Sequence, residues 1–238
     1  MTGLRLDARP WNALGVPEPD EGRLSQLASR LAELAEFGRD PHVARRVANV
    51  LGTNTITAPL QPAMSVEELD RLEQAWRVVL PEEYRAYLLH VSKGGLGPSG
   101  GLAAPEVALS AGLDVTAPFP ALVLAGDSVG RRIRDVWTDP LPDTDLFVGQ
   151  GVLPLADYGC AMTGLLVVTG ANRGEVWLDD RGNSGCVLPW ELYTSLHRPI
   201  DDIDGNIERR ITGRRVSFLA WVEDWLDNAL ACAAQNPS

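Results

Sequence analysis

Phe147-Val148-Gly149-Gln150-Gly151-Val152-Leu153-Pro154-Leu155, Gly164-Leu165-Leu166-Val167-Val168-Thr169, Glu175-Val176-Trp177-Leu178 and Cys186-Val187-Leu188-Pro189 are short runs rich in β-branched and aliphatic side chains. Turn formers lie between them, Gly170-Ala171-Asn172-Arg173-Gly174 before the third and Asp179 to Gly185 before the fourth. Such spacings suit hairpins, because a parallel partner needs a crossover of roughly a dozen residues or more, usually helical. The expected core is therefore a mostly antiparallel sheet.

Helical periods flank it. Ser65-Val66-Glu67-Glu68 reads as a capping box, with the Ser65 hydroxyl accepting from the amide three residues on and Glu68 reaching back. Leu69, Leu72 and Trp76 continue the apolar face. Leu80-Pro81 restarts a helix with proline at its first position, where no backbone donor is lost, and Tyr84, Tyr87, Leu88 and Val91 form the next stripe before Gly94-Gly95 ends it. Near the other end, Phe218, Trp221, Val222, Trp225, Leu226, Ala229 and Leu230 give an amphipathic helix for which Ser217 is the candidate start, with its aromatics as core anchors. The fold class is α+β, a mostly antiparallel central sheet flanked by helices. Residues 1–63 read as a helical N-terminal extension and linker, and residues 64–238 as the α+β domain. Within the extension, Leu24, Leu27, Leu31 and Leu34 mark a helix from about Asp20 to Phe37, Val43, Val47 and Val50 mark a second from Pro41, and Thr53 to Ala63, with Pro59 and Pro62, reads as the linker.

At 238 residues and 45% hydrophobic content, the chain is long enough for one substantial core. Met1 to Trp11 carries Arg5, Asp7 and Arg9 where a signal peptide needs an apolar run, and no stretch approaches the roughly 20 apolar residues of a membrane span. Cys160, Cys186 and Cys232 are scattered and odd in number, which fits reduced thiols in a cytoplasm. The net charge of −11 argues against nucleic acid as a partner and towards a basic protein. Between Val136 and Gly205 eleven carboxylates face three arginines, so this stretch holds −8 of that charge.

Two motifs imitate catalytic sites. Gly95-Leu96-Gly97-Pro98-Ser99-Gly100 spells a dinucleotide fingerprint, but it follows a helix where that motif follows a strand, and it reads as a helix-ending loop. Gly126-Asp127-Ser128-Val129-Gly130 spells a nucleophile elbow, with Asp179 and His197 following in hydrolase order. The chain before Ser128 reads mainly as helices and lacks the parallel strands such an enzyme needs, so a turn after a strand is the better account. His42, His90 and His197 are far apart, and no metal-ligand spacing occurs. Neither cofactor nor metal is expected.

Leu80-Pro81-Glu82-Glu83-Tyr84 followed by Gly94-Gly95-Leu96-Gly97-Pro98 and Gly101-Leu102 resembles the opening motif of the SUKH superfamily. Leu153-Pro154-Leu155-Ala156-Asp157-Tyr158-Gly159-Cys160, Leu165 to Gly170 and Gly174-Glu175-Val176-Trp177 resemble its central strands, and Ser217-Phe218, Trp221 and Trp225-Leu226-Asp227 its final helix. The resemblance covers roughly Met64 to Leu230. Ser92-Lys93 stands where family members often carry an asparagine, a change expected to loosen that turn. The resemblance implies an α+β fold and a bacterial immunity protein, one that binds a cognate toxin domain, in a family not known for a shared catalytic site, so no enzyme is expected.

On that reading the partner surface is acidic, with Asp143, Asp145, Asp157, Tyr158, Asp179 and Asp180 as partner-binding residues on exposed loops and a basic toxin domain as the partner. Trp137, Tyr158 or Trp190 would serve as its aromatic anchor, while Trp177 is assigned to the core. Two rival readings are a regulatory scaffold protein with several modest partners, and a serine hydrolase using Ser128.

Overall fold

Asp20 and Ser65 start two helices in the way their side chains dictate. The computed structural model describes residues 19–51, 56–99, 101–110, 113–119, 150–180, 186–190 and 216–235. In it the Asp20 carboxylate accepts the Arg23 amide at 2.5 Å and opens α1 (Glu21–Phe37). Leu24, Leu27, Leu31 and Leu34 form the buried stripe of α1. Asp40 does the same for α2 (Pro41–Leu51), accepting the His42 amide at 2.8 Å. The capping box of α3 (Val66–Trp76) has both its bonds, Glu68 N–H to Ser65 Oγ at 3.2 Å and Ser65 N–H to Glu68 Oε2 at 2.8 Å. Then come α4 (Glu82–His90), with Pro81 just outside its first turn, the short α5 (Pro105–Ser110) and, after the sheet, α6 (Phe218–Ala233).

The sheet is an antiparallel meander, β1 (Val152–Gly159), β2 (Met162–Val167), β3 (Val176–Asp180) and β4 (Cys186–Pro189), each strand bonded to the next. The fold is thus α+β with helices around a small antiparallel sheet, as the sequence predicts. Both faces of the sheet are apolar. Leu153, Leu155, Leu166 and Val176 join the main core with the helices, while Val152, Leu165, Val167 and Trp177 form a second cluster with Phe119, whose ring meets Trp177 edge-on at 4.9 Å. Burial on two sides explains why these strands read as continuous apolar runs rather than as an alternation.

Several local expectations differ from the structure. The first strand runs on to Gly159, and a two-residue turn, Cys160-Ala161, returns the chain into β2. Both turn residues are left-handed, at φ +48° and +60°, the geometry that matches strand twist in two-residue hairpins but is normally signalled by Asn-Gly. Asp179 and Asp180 lie in β3, paired with Val187 and Cys186, and not on an exposed turn. The turn after α4 is not loosened by its serine. Ser92 is fully buried, and its Oγ lies 2.8 Å from the Gln61 carbonyl and 2.6 Å from that of Gly94, while it accepts the Gly94 amide at 3.1 Å. One hydroxyl therefore ties the turn to the segment before α3. That segment is no slack linker either. Ile56 is buried in the main core, and a Cβ on Gly95, at φ +96°, would come within 1.9 Å of the Pro59 carbonyl.

The core crosses the boundary drawn at residue 63. Leu27, Leu31, Leu34, Val47 and Ile56 share one cluster with Leu69, Tyr87, Trp221 and Leu226. Arginines fasten this packing to α6. Arg23 forks onto Glu223 at 2.8 and 2.7 Å, Arg30 pairs with Asp227, and Arg46 donates to the Cys232 and Ala233 carbonyls at 3.2 and 2.9 Å. The last of these answers carbonyls that a helix C-terminus leaves unpaired.

Candidate functional site

The Leu80-Pro81-Glu82-Glu83-Tyr84 motif reaches the sheet, α1 and α6. Arg173, in the turn between β2 and β3, donates to the Leu80 carbonyl at 2.7 Å and to Glu82 Oε2 at 2.9 Å. Glu83 is 3% exposed. Its Oε2 accepts the Leu219 amide at 2.9 Å, and its Oε1 faces Arg23 Nη1 at 3.6 Å. Tyr84 and Tyr87 both meet Phe218 edge-on, with centroids at 4.9 and 5.2 Å. Ser217 occupies the cap position of α6 without using its side chain, so the orphan amide of that helix is answered by Glu83 from α4. The Arg23 guanidinium is held above its ordinary range, first by its bonds to Glu223 and then by Glu83 and Asp20, against the opposing effect of burial. Burial raises both tyrosine hydroxyls well above their usual value. This motif is thus a structural junction of α1, α4, α6 and the sheet, and its carboxylates serve the fold.

The acidic candidates lie elsewhere, at the hairpin end of the sheet. Asp157 of β1 pairs with Thr163 of β2, and Thr163 pairs with Asp179 of β3, so the three positions form one row across three strands. Neighbouring strands are about 4.8 Å apart, which sets the outer two roughly 10 Å from each other. Asp157 is exposed and Asp179 half-buried. The Asp157 backbone carbonyl accepts the Ser99 hydroxyl at 2.5 Å, and its Oδ1 accepts the Gly159 amide at 2.8 Å, which fixes the approach to the turn. Exposed Cys160 sits at the tip beyond it.

The six residues expected to bind a partner do not form one patch. Asp157 and Asp179 come together in this row. Tyr158 is the immediate strand neighbour of Asp157, and successive strand positions alternate between faces, so it falls on the helix side of the sheet. There Tyr158 is half-buried against Trp190, at 5.2 Å, and Trp190 meets Trp221 of α6 at 5.8 Å. Asp143 and Asp145 lie outside the described residues, as do Trp137, Ser128 and His197. Of the eleven carboxylates between Val136 and Gly205, Glu175 is not a surface charge at all. It is 6% exposed and accepts from the Asn172 amide at 2.9 Å and the Trp177 indole at 3.2 Å.

The glycines of the fingerprint-like loop serve close packing. Gly95 bridges Leu102, and a Cβ on Gly97 would fall 2.6 Å from the Leu102 side chain. Among the described residues no three His, Cys, Asp or Glu side chains group as metal ligands, and no helix is long and apolar enough to cross a membrane. No family model, no curated protein and no solved structure matches this chain.

Sequence reasoning missed the junction role of Glu83. The signal was a second glutamate two positions after Pro81, together with a later helix whose local cap candidate was Ser217.

Proposed function

We propose that this chain is a bacterial immunity protein of the SUKH superfamily, which binds a cognate basic toxin domain in the cytoplasm through the acidic hairpin end of its sheet. The observation that carries the reading is the row Asp157, Thr163, Asp179, which sets two carboxylates on one face of a sheet packed on both sides. A rigid scaffold holds charge in place without an ordering cost at the moment of encounter. Charge arranged this way chiefly speeds association, and a buried aromatic is needed for a slow release. Half-buried Tyr158, next to Asp157 in β1 and packed on Trp190 across the sheet, is the aromatic nearest to that row. The antiparallel sheet, the flanking helices and the placement of the Leu80 to Tyr84 motif at their junction are all consistent with the SUKH resemblance.

The test is a pull-down of tagged chain from its native lysate, with salt titration of whatever is retained. Recovery of a single basic toxin-like domain whose association slows steeply as salt rises supports the proposal. Recovery of nothing, or of several proteins indifferent to salt, contradicts it.

A further inference from the structure

The segment from Ile56 to Met64 is fastened along its whole length. At its start Ile56 is buried, and a Cβ on Gly38, the C-cap of α1, would come within 2.2 Å of the Ile56 carbonyl. Pro59 lies against Gly95. Further on, the Gln61 amide donates to the Gly94 carbonyl at 3.0 Å, the Pro62 carbonyl accepts the Lys93 amide at 3.3 Å, and the Met64 amide donates to the Leu88 carbonyl of α4 at 2.8 Å. One end of this strap is thus packed on α1 and the other is bonded to α4.

Ser92 sits where the strap crosses the turn after α4. Its amide donates to the Tyr87 carbonyl at 3.1 Å, which seats it on the last turn of that helix. Its hydroxyl hydrogen has the Gln61 carbonyl at 2.8 Å and the Gly94 carbonyl at 2.6 Å within reach, and its oxygen accepts the Gly94 amide. The Gly94 carbonyl also holds the Gln61 amide, so either donation leads from Ser92 into Gln61. Ser92 and Gly94 are buried, and opening this ring leaves polar groups unpaired away from water. Meanwhile α1 packs on α4 and α6, and α2 on α6.

We propose that Ser92 is the latch of this strap, so that α1 and α2 leave α6 only when Ile56 to Met64 is released and the Ser92 ring is broken with it. The close seat of Gly38 on Ile56 carries the movement of α1 into the strap. The latch acts on the helical layer and is independent of any partner at the sheet.

The test is native-state hydrogen exchange on the full chain and on Ser92→Ala, which deletes a single oxygen atom. Weakening a contact of the folded state speeds exchange only at amides whose opening breaks that contact. The expected result is exchange about ten- to a hundredfold faster at Gln61 and Met64 in the variant. The buried α1 and α2 positions Leu27, Leu31 and Val47 should speed up by the same factor. Unchanged exchange at Gln61 and Met64 would show that the serine does not hold the strap. Acceleration confined to the strap, with Leu31 and Val47 unchanged, would show that the helices open without it, and either result overturns the proposal.

Discussion

At the junction of α1, α4 and α6, Glu82, Glu83 and Glu223 each meet a guanidinium of their own chain, and Glu83 also a backbone amide. At the hairpin end of the sheet, by contrast, Asp157 stands exposed and Asp179 lies two strands away on the same face. The two regions carry the same chemical group at different depths. A carboxylate that is buried and answered holds elements together, and removing it leaves partners unsatisfied. One that is exposed on a strand, as Asp157 is, contributes little to stability. Net charge counts both alike, which is why −11 overstates the charge that a partner meets.

The largest expected effect breaks the junction. Phe218→Ala removes the ring shared by Tyr84 and Tyr87 and costs about 3–5 kcal/mol in chemical denaturation. A loss below about 1 kcal/mol would show that α6 does not depend on this contact. Glu83→Ala comes next, at about 2–3 kcal/mol, since it strips the cap from α6. Glu83→Gln keeps an acceptor for the Leu219 amide and should recover most of that loss. If the glutamine variant is as unstable as the alanine one, the Arg23 contact outweighs the cap.

The junction also has a pH signature. Tyr84 and Tyr87 are raised from 10.0 by burial, so the folded chain binds their protons more tightly than the unfolded chain does. Their contribution is fully present below about pH 10 and is lost as the pH rises above it. Tyrosinate absorbance should therefore show two of the four tyrosines titrating only together with unfolding. Normal titration of all four in the folded chain would contradict the packing.

A smaller effect tests the sheet end. Ala161→Gly relieves a left-handed alanine in the hairpin turn and should add about 1 kcal/mol of stability. A destabilising result would show that the turn is built differently.

Much of this architecture is legible in the sequence because short-range signals carry it. Asp20, Ser65 and the leucine stripe of α1 specify helix starts and faces through bonds only three or four residues long. The hairpin at Cys160-Ala161 escaped because neither residue advertises a left-handed turn, and its geometry is imposed by the pairing of Asp157 to Thr163 and Gly159 to Met162. Asp179 and Asp180 escaped for a related reason, since their pairing with β4 overrides a local preference for turns. The candidate site was half legible. Composition pointed to the acidic stretch, yet only strand register shows that Asp157 and Asp179 share a face and that Tyr158 does not. Burial shows that Glu175 belongs to the interior, and the cap that Glu83 gives to α6 spans the chain from one helix to another far along it.

The most direct test of the sheet surface uses whichever basic domain the tagged chain retains from its native lysate. The measurement is its association rate with the chain across a salt series, compared with that of Asp157→Asn combined with Asp179→Asn. Stability of the double variant should stay within about 0.5 kcal/mol of the parent. The expected result is an association rate that falls severalfold in the variant, with a shallower dependence on salt and a similar dissociation rate. Equal rates and equal salt dependence in the two proteins would contradict the assignment of partner capture to the hairpin end of the sheet.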